Sequence, residues 1–222
     1  MVLSVCLFTR LGAWQWQRSI EKEKILRLEK TASHDFLALS KSLTVKPYQR
    51  LKISGDFDDA RSFLLDNRFY QHQVGFDVLT VLKTKEGKHL LVDLGWTPAG
   101  KTRKVTPKLS LKKMSGLFKG TAYFPSSKSW VLSSAIDNLG KWPLIIEKVD
   151  FLALERLLKV DLYPFVLRLE RQDPNALVRD WRVVTMKPAQ HKGYAFQWFA
   201  FAFAAFVIFM VLNVERRINV SK

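Results

Sequence analysis

The chain has 222 residues, of which 48% are hydrophobic and 25% are charged, so the disordered, collagen-like and low-complexity classes are excluded. A single cysteine, Cys6, excludes an internal disulfide and every metal centre built from several cysteines. The 36 Lys and Arg residues outnumber the 20 Asp and Glu residues, and the net charge of +16 favours an anionic partner such as phospholipid, nucleic acid or an acidic protein.

The first predicted element is an apolar segment over residues 1–17, interrupted by Thr9, Arg10 and Gln15. As a helix, its apolar part reaches only about 24 Å, which is short for a bilayer. We predict a first transmembrane helix whose natural start lies upstream of Met1. A cleaved signal peptide is the alternative, but the segment lacks a basic start and a small-residue cleavage site.

A helical segment is predicted over residues 18–46, because Ile20, Ile25 and Leu28 recur at helical spacing among charges. After Pro47 the pattern becomes alternating, which is typical of strands. The clearest runs are 48–54, 76–82 and 89–94, and Glu86-Gly87 indicates a hairpin turn between the last two.

The rest of the β-rich region, which we assign to residues 47–186, mixes strands with one helix. Asp150–Val160 is amphipathic, with Phe151, Leu154 and Leu158 on one face. Lys101–Lys113 is basic and without pattern, which predicts a solvated loop. Further strands are predicted at Gly116–Phe124, Leu144–Glu147, Leu162–Glu170 and Asp180–Thr185.

The strongest element is a second transmembrane helix over residues 187–215. Tyr194–Val214 carries no charge and as a helix spans about 30 Å, the thickness of a hydrocarbon core. Short tails obey the positive-inside rule better than long domains do, so the basic tail 216–222 is placed in the cytoplasm and the domain outside. The predicted fold class is an α+β membrane protein, whose antiparallel β-rich extracytoplasmic domain is bracketed by two transmembrane helices.

The sequence contains no motif for catalysis: a phosphate loop, a zinc-protease motif and a nucleophile elbow are all missing. We therefore predict no catalytic residue and no enzymatic activity. The basic residues are not interleaved with aromatic residues in a nucleic-acid motif, so anionic membrane lipid is the favoured partner and nucleic acid is not.

One histidine has a distinctive position. His191 stands just before the spanning run, and Ala195, Trp198 and Ala202 follow it along one helix face. Small residues there leave a shallow groove for a flat ligand or another helix. Imidazole is a common axial ligand of haem iron. The two interpretations are therefore a haem-iron ligand and an interfacial histidine without any ligand.

Two segments carry a family resemblance. Leu11–Arg18 reads L-G-A-W-Q-W-Q-R, and His191–Phe199 reads H-K-G-Y-A-F-Q-W-F. Both resemble the signatures of the surfeit-locus family of cytochrome c oxidase assembly proteins. Between them, inner motifs of that family are similar in order and spacing to Gly55-Asp56-Phe57, Asn67-Arg68, Gly75 and Leu91–Pro98, although many members have Asn-Arg where this chain has Asp93-Leu94.

The resemblance implies a factor that helps to supply haem a, held transiently, to the core subunit of cytochrome c oxidase. It implies that His191 binds the haem iron, as the metal ligand of the chain. Trp14, Trp198 and Tyr194 would border the haem, and Arg18 would meet its propionates. The alternative is a scaffold that binds oxidase subunits without a cofactor.

The implied partners are the oxidase core subunit, the machinery that makes haem a and membrane lipids. The expected location is the bacterial inner membrane, as a multi-pass chaperone of respiratory-chain biogenesis. Both termini would be cytoplasmic and the main domain periplasmic.

Overall fold

The structure, a computed structural model, describes residues 2–40, 44–100, 107, 115–125, 142–170 and 177–220. It contains two compact units, one built from the two ends of the chain and one from Ala32–Trp181. The basic loop predicted for Lys101–Lys113 lies, apart from Pro107, outside the described residues. In chain order the elements are α1 (Val2–Thr31), β1 (Leu37–Ala38), β2 (Arg50–Tyr70), β3 (Gln73–Thr84), β4 (His89–Pro98), β5 (Ser115–Tyr123), β6 (Leu144–Ile146), α2 (Phe151–Leu158), β7 (Leu162–Leu169) and α3 (Pro188–Val220).

The first unit is a pair of antiparallel helices, α1 and α3. Phe8 on α1 stacks with Trp198 on α3. Seven residues later on α1, Gln15 contacts His191, which lies seven residues before Trp198 on α3. Heptad steps are typical of helices that wind around one another, and small residues let two backbones approach closely. The buried small residues of this pair are Gly12, Ser19, Ala195 and Ala202.

Part of α3 is long and apolar enough to cross a bilayer. Pro188–Asn213 covers 26 residues, more than the roughly 20 that a hydrocarbon core requires. Large apolar side chains on it are exposed, Phe196 by 76% and Phe203 by 69%, unlike those of a core helix in a water-soluble protein. The helix is consistent with a membrane-anchored protein. Among the described residues it alone meets this length and composition, so the transmembrane helix over 1–17 stays a prediction.

Helix α1 is continuous from Val2 to Thr31, so it joins residues 1–17 to the first part of the segment 18–46. It ends where Thr31 Oγ1 donates to the carbonyl of Arg27, and a short turn follows in which the Asp35 N–H donates to Ser33 Oγ. Leu37–Ala38 then form β1. Helical structure in the segment 18–46 therefore stops at Thr31 within the described part, and a strand follows it.

The second unit is a β-barrel. The strands follow the order β2-β3-β4-β7-β5, and β5 pairs again with the first half of β2, which closes the sheet. Strand β2 can take part in both ends of this order because it is 21 residues long. Two register shifts, between Asp58 and Ser62 and between Leu65 and Arg68, bend it. Strands β1 and β6 lie parallel to β2 outside the closed order.

The β-rich character of the domain is confirmed, but the sheet is mixed where a purely antiparallel one was expected. Strands β4 and β7 are parallel. The chain between them includes β5, β6 and α2, which provides the long crossover that parallel pairing requires. The strand predicted for Asp180–Thr185 is wrong: the chain there is irregular, and only Val178, just before it, bridges to Trp96.

Alternation along the strands builds two apolar layers. One set of side chains fills the barrel, with Phe76, Val92 and Phe165 among its buried members. The opposite set, including Phe63 and Leu91, is covered by α2 and β6. Because successive residues of a strand point to opposite faces, each strand contributes to both layers.

Candidate functional site

The candidate site lies where α1 and α3 meet at the start of the apolar run. His191 is in the first turns of α3 and is 8% exposed. Its Nδ1 is 2.7 Å from Oε1 of Gln15 on α1. Its Nε2 is buried and has no hydrogen-bond partner among the described residues. A buried ring nitrogen without a partner is uncommon, because polar groups that leave water are normally hydrogen-bonded.

The helices are held together on both sides of this contact. On one side, the backbone of Gly12 lies against the Phe199 ring so closely that a Cβ on Gly12 would be 2.6 Å from it. On the other side, Lys192 Nζ is 2.7 Å from Glu23 Oε1. The hydrogen bond and the charge of Lys192 lower the pKa of Glu23. The Gln15–His191 contact therefore sits between an apolar contact and an ionic one.

Aromatic rings follow His191 into the apolar part of the pair. The Trp198 ring is partly buried and stacks on Phe8, with 5.8 Å between ring centroids. It also meets Phe201 edge-on at 5.9 Å. Trp198 lies on the same face of α3 as His191 and the buried Ala195 and Ala202. This face presents one imidazole and one indole to the seam between the helices.

The other predicted site residues are more exposed. Trp14 is 50% exposed and Tyr194 is 46% exposed. Arg18 donates to Glu21 at 2.7 Å, a pair within one turn of α1 that is about half open to solvent. The residue that sequence reasoning missed is Gln15, which touches His191 directly. The first signature contains it, beside Trp14, and that position was the available signal.

The barrel has a polar cluster of its own, formed by two aspartates and two arginines. Asp77 Oδ2 is 3.0 Å from Arg68 Nε, and Asp93 Oδ2 is 3.8 Å from Arg168 Nε. Burial raises the pKa of Asp77. Burial, together with the neighbouring Asp77 carboxylate, raises the pKa of Asp93 to about 8, because Arg168 and the Gly95 N–H only partly offset the loss of water.

Arg168 is held mainly by rings. Its guanidinium carbon is 3.6 Å from the centroid of the Tyr123 ring and 5.2 Å from that of Trp181. Trp181 is fixed in turn, because its indole N–H donates to the carbonyl of Leu169 at 2.8 Å. Cation–π contact stabilises a guanidinium that has left water without requiring a close carboxylate. This explains how Asp93 can be buried at 3.8 Å from a cation.

Three of the inner sequence motifs, Asn67-Arg68, Gly75 and Leu91–Pro98, come together around Trp96. Its indole N–H donates to the carbonyl of Arg68 at 3.3 Å, and the Tyr70 ring lies 5.4 Å away. A Cβ on Gly75 would lie 2.5 Å from the Trp96 ring, so only glycine fits there. Gly95 has a positive φ of 122°, which disfavours any side chain. These motifs therefore fix β2, β3 and β4 against one another.

Comparison with known proteins gives a consistent assignment. The sequence model of the SURF1 (surfeit-locus) family matches residues 2–203 of the chain. A protein of Rickettsia bellii described as "SURF1-like protein" is 23% identical over 218 residues, which cover 95% of this chain and 88% of that protein. Both matches extend over nearly the whole chain, helices and barrel included. The chain therefore belongs to the SURF1 family, which is known for the assembly of cytochrome oxidase.

Proposed function

We propose that the chain is a membrane-anchored assembly factor that binds haem a transiently and hands it to the core subunit of cytochrome c oxidase. Membership of an oxidase assembly family supports the general role. The observation that carries the haem role is the buried Nε2 of His191, which has no hydrogen-bond partner in the part of the chain that the structure describes. The protein acts as a chaperone and catalyses no reaction.

The residues present fit a haem group. A neutral imidazole whose Nδ1 is hydrogen-bonded offers its Nε2 lone pair as a ligand, and the carboxamide oxygen of Gln15 is placed to accept the Nδ1 proton. Bound haem supplies an iron that takes an imidazole as axial ligand and two propionates that accept bonds from cations. A metal is thus the partner that would satisfy the orphaned nitrogen.

Further residues would hold the rest of the group. Trp198 lies on the seam beside His191, and Trp14 and Tyr194 offer aromatic faces nearby in sequence that are about half exposed. Arg18 would bind a propionate. Its present partner, Glu21, forms an exposed pair of the kind that is worth little, so the guanidinium can exchange it for another carboxylate at small cost.

The proposed location is the bacterial inner membrane. In this arrangement both α1 and α3 cross the bilayer, both termini are cytoplasmic and the barrel is periplasmic. The antiparallel packing of the two helices supports a paired crossing, because neighbouring membrane helices joined by a domain on one side must run in opposite directions. The net charge of +16 supports additional contact with anionic lipid.

The test is a spectrum. The full chain is purified from cells that make haem a, and its visible spectrum is compared with those of His191→Ala and His72→Ala. His72 is an exposed histidine in the turn between β2 and β3, so its replacement serves as the matched control. We expect haem bands in the wild type and the control and their loss in His191→Ala. Equal spectra from all three proteins would remove His191 from the proposal.

A scaffold that binds oxidase subunits without a cofactor is the second candidate. The exposed aromatic side chains of the helix pair favour it, because Trp14, Trp16 and Phe196 could pack against partner helices. The two candidates differ in cells that cannot make haem. A scaffold still captures the core subunit there, whereas a haem carrier depends on its cargo.

A further inference from the structure

We infer that Gln15 is a positioning residue: its carboxamide oxygen holds His191 in the Nδ1–H tautomer and so keeps the Nε2 lone pair available. The inference concerns the apoprotein, and it rests on the proposed haem role only where it extends to ligand affinity. Gln15 lies within the first signature but was not one of the predicted site residues. It is the described side chain that contacts the imidazole most directly, at 2.7 Å.

A contact of this length between a carboxamide and an imidazole can form in two ways. In the first, Nδ1–H donates to the carboxamide oxygen and Nε2 keeps its lone pair. In the second, the amide is turned, its N–H₂ donates to Nδ1, and the proton of the ring sits on Nε2. The buried Nε2 of His191 is therefore a lone-pair acceptor in the first arrangement and an N–H donor in the second.

The surroundings of Nε2 decide between them. In the second arrangement a buried N–H would have no acceptor among the described residues. Orphaned buried N–H groups are rarer than under-used acceptors, since an unpaired donor loses its whole bond to water. In the first arrangement the unpaired group is a lone pair, which a metal ion can take up. The first arrangement therefore leaves the smaller penalty and a ligand that is ready to bind.

The helix packing makes this control effective. Gln15 and His191 lie on opposite helices, and the contacts of Gly12 with Phe199 and of Glu23 with Lys192 hold those helices on either side. A neutral histidine side chain in water prefers the other tautomer, with the proton on Nε2. Without Gln15, His191 would therefore revert toward Nε2–H and lose the available lone pair.

The tautomer is measured directly in the apoprotein. The full chain is labelled with ¹⁵N-histidine in micelles, and the His191 signals are identified by their disappearance in His191→Ala. In mildly alkaline buffer we expect the wild type to show protonated Nδ1 and unprotonated Nε2. Gln15→Leu should shift the ring toward Nε2–H, whereas Gln15→Glu keeps an acceptor and should keep Nδ1–H. Gln17→Leu, the same change at an exposed position of α1, should leave the ring unchanged.

Haem binding provides the second readout. Mutation of a residue that hydrogen-bonds a ligating histidine typically lowers metal affinity by about 10–100-fold, so Gln15→Leu should weaken binding of added haem a by about that factor. Gln17→Leu should bind haem a as the wild type does. In Gln15→Glu the stronger acceptor should lower the reduction potential of the bound iron. Helix content by circular dichroism shows whether each variant is folded, and Gln15→Glu tests the idea even where Gln15→Leu fails to fold.

The outcomes separate the two proposals. An Nε2–H tautomer in the wild type, or an unchanged tautomer in folded Gln15→Leu, overturns the role of Gln15. If the tautomers behave as expected and no form of the protein binds haem a, the positioning role stands and the haem role fails. If haem binds equally to the wild type and to Gln15→Leu although the tautomer has shifted, the extension to ligand affinity is overturned and the control of the tautomer stands.

Discussion

The buried aspartate of the barrel makes its stability depend on pH. The pKa of Asp93 is raised to about 8 in the folded protein, from an ordinary value of 3.8. Between these values the folded state keeps a proton that the unfolded state releases. The contribution of Asp93 to stability is thus complete below the ordinary value and is lost as the pH rises through about 8.

The size of the effect follows from this shift. One pH unit between the two values changes the free energy of unfolding by about 1.4 kcal/mol. Raising the pH from about 5.5 to about 7 should therefore lower stability by about 2 kcal/mol, or the Tm by roughly 4–8 °C for a chain of this length. The raised pKa of Asp77 acts in the same direction.

The assay is thermal unfolding of the full chain in detergent, followed by tryptophan fluorescence across this pH range. Asp93→Asn carries no titrating proton at that site, so its Tm should fall less steeply and exceed that of the wild type at the alkaline end. Asp56→Asn, at an exposed position of β2, is the matched control and should follow the wild type. Parallel profiles for wild type and Asp93→Asn would refute the reasoning.

Two glycines give further predictions. Gly12→Leu should cost about 1–3 kcal/mol of helix-pair stability relative to Gly193→Leu, because a side chain at Gly12 meets the Phe199 ring, whereas Gly193 faces open space. Denaturation by dodecyl sulfate measures the stability of the helix pair. Equal losses of stability in Gly12→Leu and Gly193→Leu would contradict the close contact between Gly12 and Phe199. Gly95→Ala should lower barrel stability by about 1–3 kcal/mol, since φ is 122° and a Cβ would lie 2.7 Å from the Val178 carbonyl oxygen. An unchanged Tm would show that the turn relaxes without strain.

Much of the barrel could be predicted from the sequence because local patterns specify its strands. The alternating runs 76–82 and 89–94 lie within β3 and β4, and Glu86-Gly87 is the turn between them, with Gly87 at a φ of 96°. Asp150 caps α2, accepting from the Ala153 N–H, where the amphipathic pattern began. Each of these features depends on neighbours in the chain.

Features that depend on distant partners could not be predicted. Nothing in β5 indicates that it pairs with both β2 and β7, and the parallel pairing of β4 with β7 depends on the long crossover between them. The same holds for the candidate site. His191 was predicted as a site residue because it stands just before the apolar run. Its contact with Gln15 depends on the register between α1 and α3, which the periodicity within either helix does not fix.

The closed order of strands has a consequence for biosynthesis. The last described strand to be made, β7, is inserted between β4 and β5, and β5 is in turn the partner of the first long strand, β2. A growing chain therefore cannot complete the barrel until residue 169 has emerged, and pairings so distant in sequence form slowly. Until then the nascent domain exposes its apolar strands to its surroundings.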